Sequence, residues 1–179
     1  MGSNQIILIG VSCVGKTTIG KALANKLNIP FYDLDTEIEK YFAMPISAVQ
    51  DKVHTAMGYR KKTLPVIKKI VASNQNSDFV LALFPSGLND CYWTYLKDTD
   101  CRIIVLDDST ENILSRLVFY DDHSKKIDYI IPEDKREAYL ARIKEDQARY
   151  AKTYKRASIK VGINGLSVEA SVEKIVNCL

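Results

Sequence analysis

No apolar run in the 179-residue sequence is long enough to span a bilayer, and no basic stretch followed by an apolar segment opens it. A membrane-crossing helix and a targeting peptide are therefore not expected. The four cysteines, Cys13, Cys91, Cys101 and Cys178, are scattered, with no Cys-x-x-Cys and no histidine at ligand spacing. That argues against structural zinc and against a disulfide framework, and is consistent with reduced thiols in a cytoplasmic protein. A formal net charge of +3 is too mild to call for a polyanionic partner. Residues 124–160 hold eleven Lys/Arg against six Asp/Glu, with four tyrosines among them. Those tyrosines fall largely on one helical stripe that reads as core, so no nucleic-acid partner is expected. Repeats, low-complexity tracts and linkers are lacking too, which leaves one domain over 1–179, large enough to bury a core without cross-links.

What the sequence does have begins at Gly10. Residues 10–17, Gly10-Val11-Ser12-Cys13-Val14-Gly15-Lys16-Thr17, spell G-x-x-x-x-G-K-[ST] directly after the apolar run Ile6-Ile7-Leu8-Ile9. A buried strand before the pattern and a helix after it make a phosphate-binding loop. Glycines at 10 and 15 let the backbone turn successive N–H groups around phosphate oxygens, and the helix opening near Lys16 adds its positive dipole end. Lys16 is expected on the outer phosphates of a nucleoside triphosphate, with the Thr17 hydroxyl on Mg²⁺. Ser12, Cys13 and Val14 fill the free positions of the nucleotide-contacting segment, and Thr18 closes it.

Strand-like runs recur at 5–9, 30–32, 79–84, 102–106 and 158–161. Helical patterns occupy 16–28, 57–73, 110–119, 132–154 and about 167–177, the fourth opening with proline followed by Glu133 and Asp134. Strands alternating with helices predict an α/β fold, a parallel sheet covered on both faces. The polar stretch 121–126 between two helices is a candidate lid over about 120–130. Phe84-Pro85-Ser86-Gly87 ends the third strand with turn chemistry, at the carboxyl edge where such sheets hold ligands.

Phe31-Tyr32-Asp33-Leu34-Asp35 ends the second strand with two carboxylates one residue apart. One carboxylate can hold Mg²⁺ through water and the other accept a proton from a substrate hydroxyl, or Asp35 can instead cap a helix over 36–41. Arg60-Lys61-Lys62 reads either as a solvated helix face or as an anion contact through Arg60. Asp107-Asp108 follows an apolar strand and reads best as the N-cap of the helix at Thr110. His54 reads as a surface residue, and Trp93 with Tyr92 and Tyr95 as packing or rim residues.

Residues 10–18, then Gly20, Leu23, Ala24, Leu27, Phe31, Asp33, Asp35 and Ile38-Glu39, resemble the start of the shikimate kinases in order and spacing. Gly58-Tyr59-Arg60 is similar to the Phe-Arg of that family's substrate-binding helix. Val105, Glu111 and Arg116-Leu117 resemble its fourth strand, following helix and adenine-flanking arginine. The resemblance implies a three-layer nucleoside monophosphate kinase-like fold, five parallel strands in the order 2-3-1-4-5, substrate-binding helices about 34–75 and a small lid. It also implies ATP and Mg²⁺, with Asp35 as acceptor-hydroxyl partner and base, Asp33 behind the metal with Thr17, Arg116 on the adenine, and Arg60 and Gly87 on the substrate.

The departures fall on the acceptor half. The family's Gly-Gly-Gly turn reads Phe84-Pro85-Ser86-Gly87, with only the last glycine kept. The acidic residue expected shortly after Arg60 is replaced by Lys61, Lys62 and Thr63. The lid lacks Arg-Pro-Leu-Leu, with His123 where its arginine belongs and Lys125 or Lys126 as substitute cations. The second carboxylate-binding arginine has no match in register, Arg149 lying one residue before Tyr150 and five before Tyr154. The expected protein is a monomeric or weakly dimeric small-molecule kinase that moves the ATP γ-phosphate to a hydroxyl. A kinase of the same fold for another polyol or acid, or a nucleotide-binding sensor, are the alternatives.

Overall fold

The computed structural model describes residues 5–120 and 126–179. Strand β1 (Gln5–Ile9) is buried on both faces, as an uninterrupted apolar run demands. Ile6 and Leu8 pack into one core layer, with Leu23 and Ala24 of α1 (Lys16–Leu27), while Ile7 and Ile9 enter the other, with Leu34 and Ile38 of α2 (Leu34–Phe42). Side-chain alternation along this single strand thus builds both cores at once.

Between α1 and α2 runs β2 (Phe31–Asp33). A short α3 (Ile46–Asp51) and the long α4 (Ala56–Ser73) follow, then β3 (Phe79–Ala82) and α5 (Asp90–Leu96). The second half is β4 (Arg102–Asp107), α6 (Thr110–Leu114), a two-stranded ribbon β5 (Phe119–Tyr120) and β6 (Lys126–Ile127), α7 (Glu133–Tyr154), β7 (Ile159–Gly162) and α8 (Val168–Val176). The main sheet has the order β2-β3-β1-β4-β7, every neighbouring pair parallel. Since β5 and β6 pair separately and antiparallel, β7 is the fifth strand of that sheet, and the order corresponds to 2-3-1-4-5.

The helix expected over 110–119 stops at Leu114. The amides of Arg116 and Leu117 reach back only three residues, to Ile113 and Leu114, which tightens and ends the turn. Phe119 then leaves the helix path, pairs in β5, and packs edge-on against Tyr129 and Tyr139. The expected capping by Asp108 is also overturned. Ser109 caps α6 by accepting from the Asn112 amide, and Asp108 turns inward, 3% exposed. Of the expected lid, residues 121–125, including His123 and Lys125, lie outside the described residues.

Candidate functional site

The loop between β1 and α1 has the shape its glycines permit. Gly10 (φ +155°) lies so close to its neighbours that a Cβ there would sit 2.6 Å from the Leu106 carbonyl oxygen and 2.8 Å from Val14 Cγ1. Val14 is fully buried beneath the loop, Cys13 adopts φ +59°, and Ser12, Thr17 and Thr18 line its outer side with at least part of their surface open. Lys16 Nζ donates to the carbonyls of Gly10 and Val11, 2.9 Å each, so the ammonium is folded back across the loop. Burial lowers Lys16 to about 8, opposed by Cys13, Asp35 and Asp33.

Thr17 Oγ1 donates to Asp33 Oδ2 over 2.7 Å, joining the loop to the end of β2. Asp33 also caps α2, its Oδ1 accepting from the Asp35 amide at 3.1 Å. The capping role open to Asp35 therefore falls to Asp33. Asp35 stands in the first turn of α2. What brings the two carboxylates together is a strand-to-helix turn, since Asp33 ends β2 and Asp35 already lies in α2. Burial and then the neighbouring Asp33 push Asp35 up to about 6, Lys16 pulling the other way and Glu39 adding to the rise.

Asp35 and Ser12 lie on the wall of a cavity of about 570 Å³. Other parts of the wall come from Gln50 of α3, His54, Tyr59 and Arg60 of α4, and Phe84, Pro85 and Ser86 after β3. Thr55 caps α4 by accepting from Gly58 N–H at 2.9 Å, which fixes the turn from which Tyr59 and Arg60 project. Arg60 is 8% exposed. Its Nε donates to Asp90 Oδ2 at 3.0 Å, Nη2 reaches the same oxygen, and Nη1 donates to Ser86 Oγ at 3.1 Å. Arg60 is thus no solvated helix face. Its acidic partner, absent just downstream in sequence, comes from the start of α5, where Asp90 holds φ +47°. Nearby, Phe84 packs on Tyr59 and on Tyr92, with ring centroids 5.9 and 5.5 Å apart.

Gly87 does not line this cavity. It is buried, its amide bonded to the Phe84 carbonyl at 2.9 Å, and a Cβ there would meet Leu83 Cβ at 2.7 Å. The turn's contribution to the cavity comes from Phe84, Pro85 and Ser86 instead. Arg116 is tied to Asp108, which also accepts from Asn112 Nδ2, the Ser109 amide and the Gly165 amide. Burial alone would raise Asp108, but the hydrogen bonds from Asn112, Arg116 and Ser109 outweigh it and hold the carboxyl below its ordinary value. Arg149 is exposed and pairs with Asp146 one helical turn back, away from the cavity. Asp107 pairs with Lys160 at 2.8 Å. Sequence reading misses Gln50 and Asp90, and places His54 only on the surface; it is exposed, but on the cavity wall. Their signal is tertiary, because the elements that carry them meet only in the folded chain.

Among the described residues, no cluster of three or more His, Cys, Asp or Glu side chains is arranged to hold a metal, and no helix is long and apolar enough to cross a membrane. A family model described as shikimate kinase matches residues 12–179. The sequence is 31% identical over 173 residues to a shikimate kinase of Francisella tularensis subsp. holarctica, covering 97% of this chain and 93% of the relative. Solved structures share the fold. The shikimate kinase of Bacteroides thetaiotaomicron superimposes with a TM-score of 0.77 at 21% identity over 98% of this chain and 97% of that one. The shikimate kinase of Acinetobacter baumannii in complex with shikimate gives 0.72 at 21%, covering 98% and 92%.

Proposed function

The chain belongs to the shikimate kinase family, and from that premise we propose that it transfers the γ-phosphate of ATP to a hydroxyl of shikimate. The observation that carries the reading is that one cavity is lined by the phosphate loop, through Ser12, and by Asp35 and Arg60. Donor and acceptor chemistry thus share one crevice.

The loop fits a triphosphate. Gly10 approaches its surroundings too closely for any side chain, its carbonyl and that of Val11 hold Lys16 beside the loop, and the opening of α1 follows directly. When a nucleotide binds, Lys16 exchanges its two carbonyl partners for phosphate oxygens, and the loop amides neutralise charge that builds during transfer. Thr17 and Asp33, 2.7 Å apart, are the residues that would hold Mg²⁺ on the nucleotide. The ion would supply charge neutralisation between the phosphates.

On the acceptor side, Asp35 is suited to a base because it is ionised at neutral pH yet raised toward it, to about 6. It orients the attacking hydroxyl and takes its proton as the new P–O bond forms, while the bond from the γ-phosphorus to the bridging oxygen breaks and ADP leaves with that electron pair. Arg60 presents an acceptor carboxylate with a guanidinium already aligned by Asp90 and Ser86, so little side-chain freedom is lost on binding. Arg116, anchored by Asp108, is proposed to flank the adenine. The single-domain organisation over 1–179 and a closing segment about 120–130 belong to the same reading, as does a cytoplasmic monomer or weak dimer without nucleic-acid partners.

A second reading, a kinase for a different polyol or acid, is favoured by one feature: Phe84, Pro85 and Ser86 stand where a glycine turn would leave open backbone. An ADP-release assay over shikimate, sugar acids and polyols tests both. Turnover on shikimate above every other acceptor supports the first reading, and preference for another member of the panel supports the second.

A further inference from the structure

A second cavity lies between α7 and the strands β4 and β7. It has a volume of about 500 Å³ and shares no lining residue with the acceptor cavity. Small-molecule sites fall in the range of about 300–1,000 Å³. Val105 of β4, Ala151 and the Tyr154 ring of α7 give it apolar walls, and Val11 of the phosphate loop adjoins them. Tyr154 is stacked on Tyr150, with ring centroids 5.7 Å apart, so this part of the wall is flat and aromatic. The charged groups on the wall are Asp107, Lys155 and Lys160. Lys160 neutralises Asp107 at 2.8 Å. The Lys155 ammonium, at the exposed end of α7, has no ion pair or hydrogen bond among the described residues. An apolar, partly aromatic cavity with one uncompensated cation suits a flat apolar body that ends in an anion.

We propose that this cavity is a regulatory site for a small aromatic carboxylate, and that its occupant weakens nucleotide binding. Lys155 receives the carboxylate, and the aromatic body lies against Tyr154. A cationic ligand finds no unpaired carboxylate here, because Asp107 is already matched by Lys160. The coupling to the nucleotide runs through two residues of the wall. The Val11 carbonyl accepts from Lys16 Nζ at 2.9 Å, which keeps the ammonium folded back on the loop. Gln147 Nε2 donates to the Asp108 carbonyl at 2.9 Å, and the Asp108 carboxylate anchors Arg116. An occupant packed on Val11 and Gln147 favours this arrangement over one with Lys16 on phosphate oxygens. A ligand that binds one arrangement better shifts the balance toward it, and the effect is reciprocal between the two sites. Only the nucleotide half of the kinase reading enters; the identity of the acceptor does not.

The experiment titrates the full chain with 2-naphthoate by calorimetry, alone, with saturating shikimate, and with a non-hydrolysable ATP analogue and Mg²⁺. The neutral naphthalene-2-carboxamide serves as the uncharged counterpart. Lys155→Met removes the cation and Ala151→Phe fills the mouth of the cavity. Both positions are exposed, so neither change disturbs the core. The expected result is saturable binding of 2-naphthoate that shikimate does not displace and the ATP analogue weakens. Lys155→Met, or the amide in place of the acid, weakens it about fivefold to tenfold, and Ala151→Phe abolishes it. In ADP-release assays the probe raises the KM for ATP of wild type, while both variants keep the basal kcat and respond less or not at all. Three results overturn the proposal: no saturable binding, displacement by shikimate with affinity unchanged in both variants, or binding that leaves the KM for ATP and the affinity for its analogue unaltered. If the chain turns over no acceptor, the kinase reading fails instead, and the titrations with the ATP analogue and the two variants still decide the role of this cavity.

Discussion

Arg60 on α4 and Asp90 at the start of α5 form an ion pair in the wall of the acceptor cavity, with Nε and Nη2 of the arginine converging on one carboxylate oxygen. The pair fixes the plane of the guanidinium, and Ser86 fixes its remaining edge. Arg60 is 8% exposed, so losing its counter-charge would leave a nearly buried cation uncompensated.

Asp90→Asn is therefore expected to lower stability by about 1–3 kcal/mol, read as a Tm decrease of several degrees. The partial exposure of Asp90 keeps the effect below that of a fully buried pair. The acceptor KM rises about tenfold while the KM for ATP does not follow, because Asp90 acts through Arg60 and not on the phosphate loop. Calorimetric unfolding and two-substrate kinetics on one preparation check both.

Asp35→Asn separates chemistry from stability. The carboxyl is raised from 3.8 to about 6 in the fold, so between those values the folded state binds more protons than the unfolded one. Stability then falls as pH rises through that interval. Above pH 6 the charge opposes folding, and the neutral amide relieves it. The variant should lose kcat by about 10²–10⁴-fold, the scale of a missing general base. At pH 7.5 its Tm should be higher than that of wild type, the gain converging to nothing near pH 4. Because Asp35 keeps solvent contact, that gain is up to about 1 kcal/mol.

The pH dependence of kcat/KM for ATP should be bell-shaped. This parameter follows the free enzyme, in which Asp35 must be ionised and Lys16 charged. Activity rises through about pH 6 as Asp35 loses its proton, and falls above about pH 8 as Lys16 loses its own. Initial rates measured from acid to alkaline pH across both limbs test this, and Asp35→Asn should lose the acid limb.

Gly10→Ala places a methyl group 2.6 Å from a backbone oxygen, in a conformation that L-residues rarely adopt. The expected cost is about 1–3 kcal/mol of stability, with the KM for ATP rising in step because the distorted loop also carries Lys16. Thermal shift with and without nucleotide measures both effects.

The parts of the site legible in the sequence are those whose chemistry is local. The loop 10–17 announces itself because glycine, lysine and threonine must stand at fixed offsets, and the strand and helix around it follow from an apolar run and a 3.6-residue period. Sheet order follows from the family resemblance, which is strongest over about the first forty residues. Asp33 and Asp35 stand out as a pair, but which one caps α2 depends on a backbone turn that composition does not specify. Gly87 invites assignment to the substrate because it is the glycine of the turn that survives. In the fold that glycine is needed against Leu83, and its neighbours Phe84, Pro85 and Ser86 line the cavity. The acidic partner of Arg60 is expected within one helical turn, whereas it lies thirty residues on, where only the packing of α5 against α4 brings it near. The short α3 and α5 carry too few residues for a periodic signal. Helix α6 ends early because Arg116 and Leu117 close it with three-residue hydrogen bonds, and the anchoring of Arg116 on Asp108 is a tertiary contact that no propensity scale contains.

In the proposed reaction the phosphate loop and Asp35 address two reactants across one crevice. Phosphorus NMR of the protein with ATP, Mg²⁺ and shikimate tests it most directly. The expected spectrum shows a growing phosphate-ester resonance matched by loss of the γ-phosphate signal, abolished in Lys16→Ala and in Asp35→Asn. ATP bound and converted only to inorganic phosphate, with no ester formed on shikimate or any panel acceptor, would contradict it.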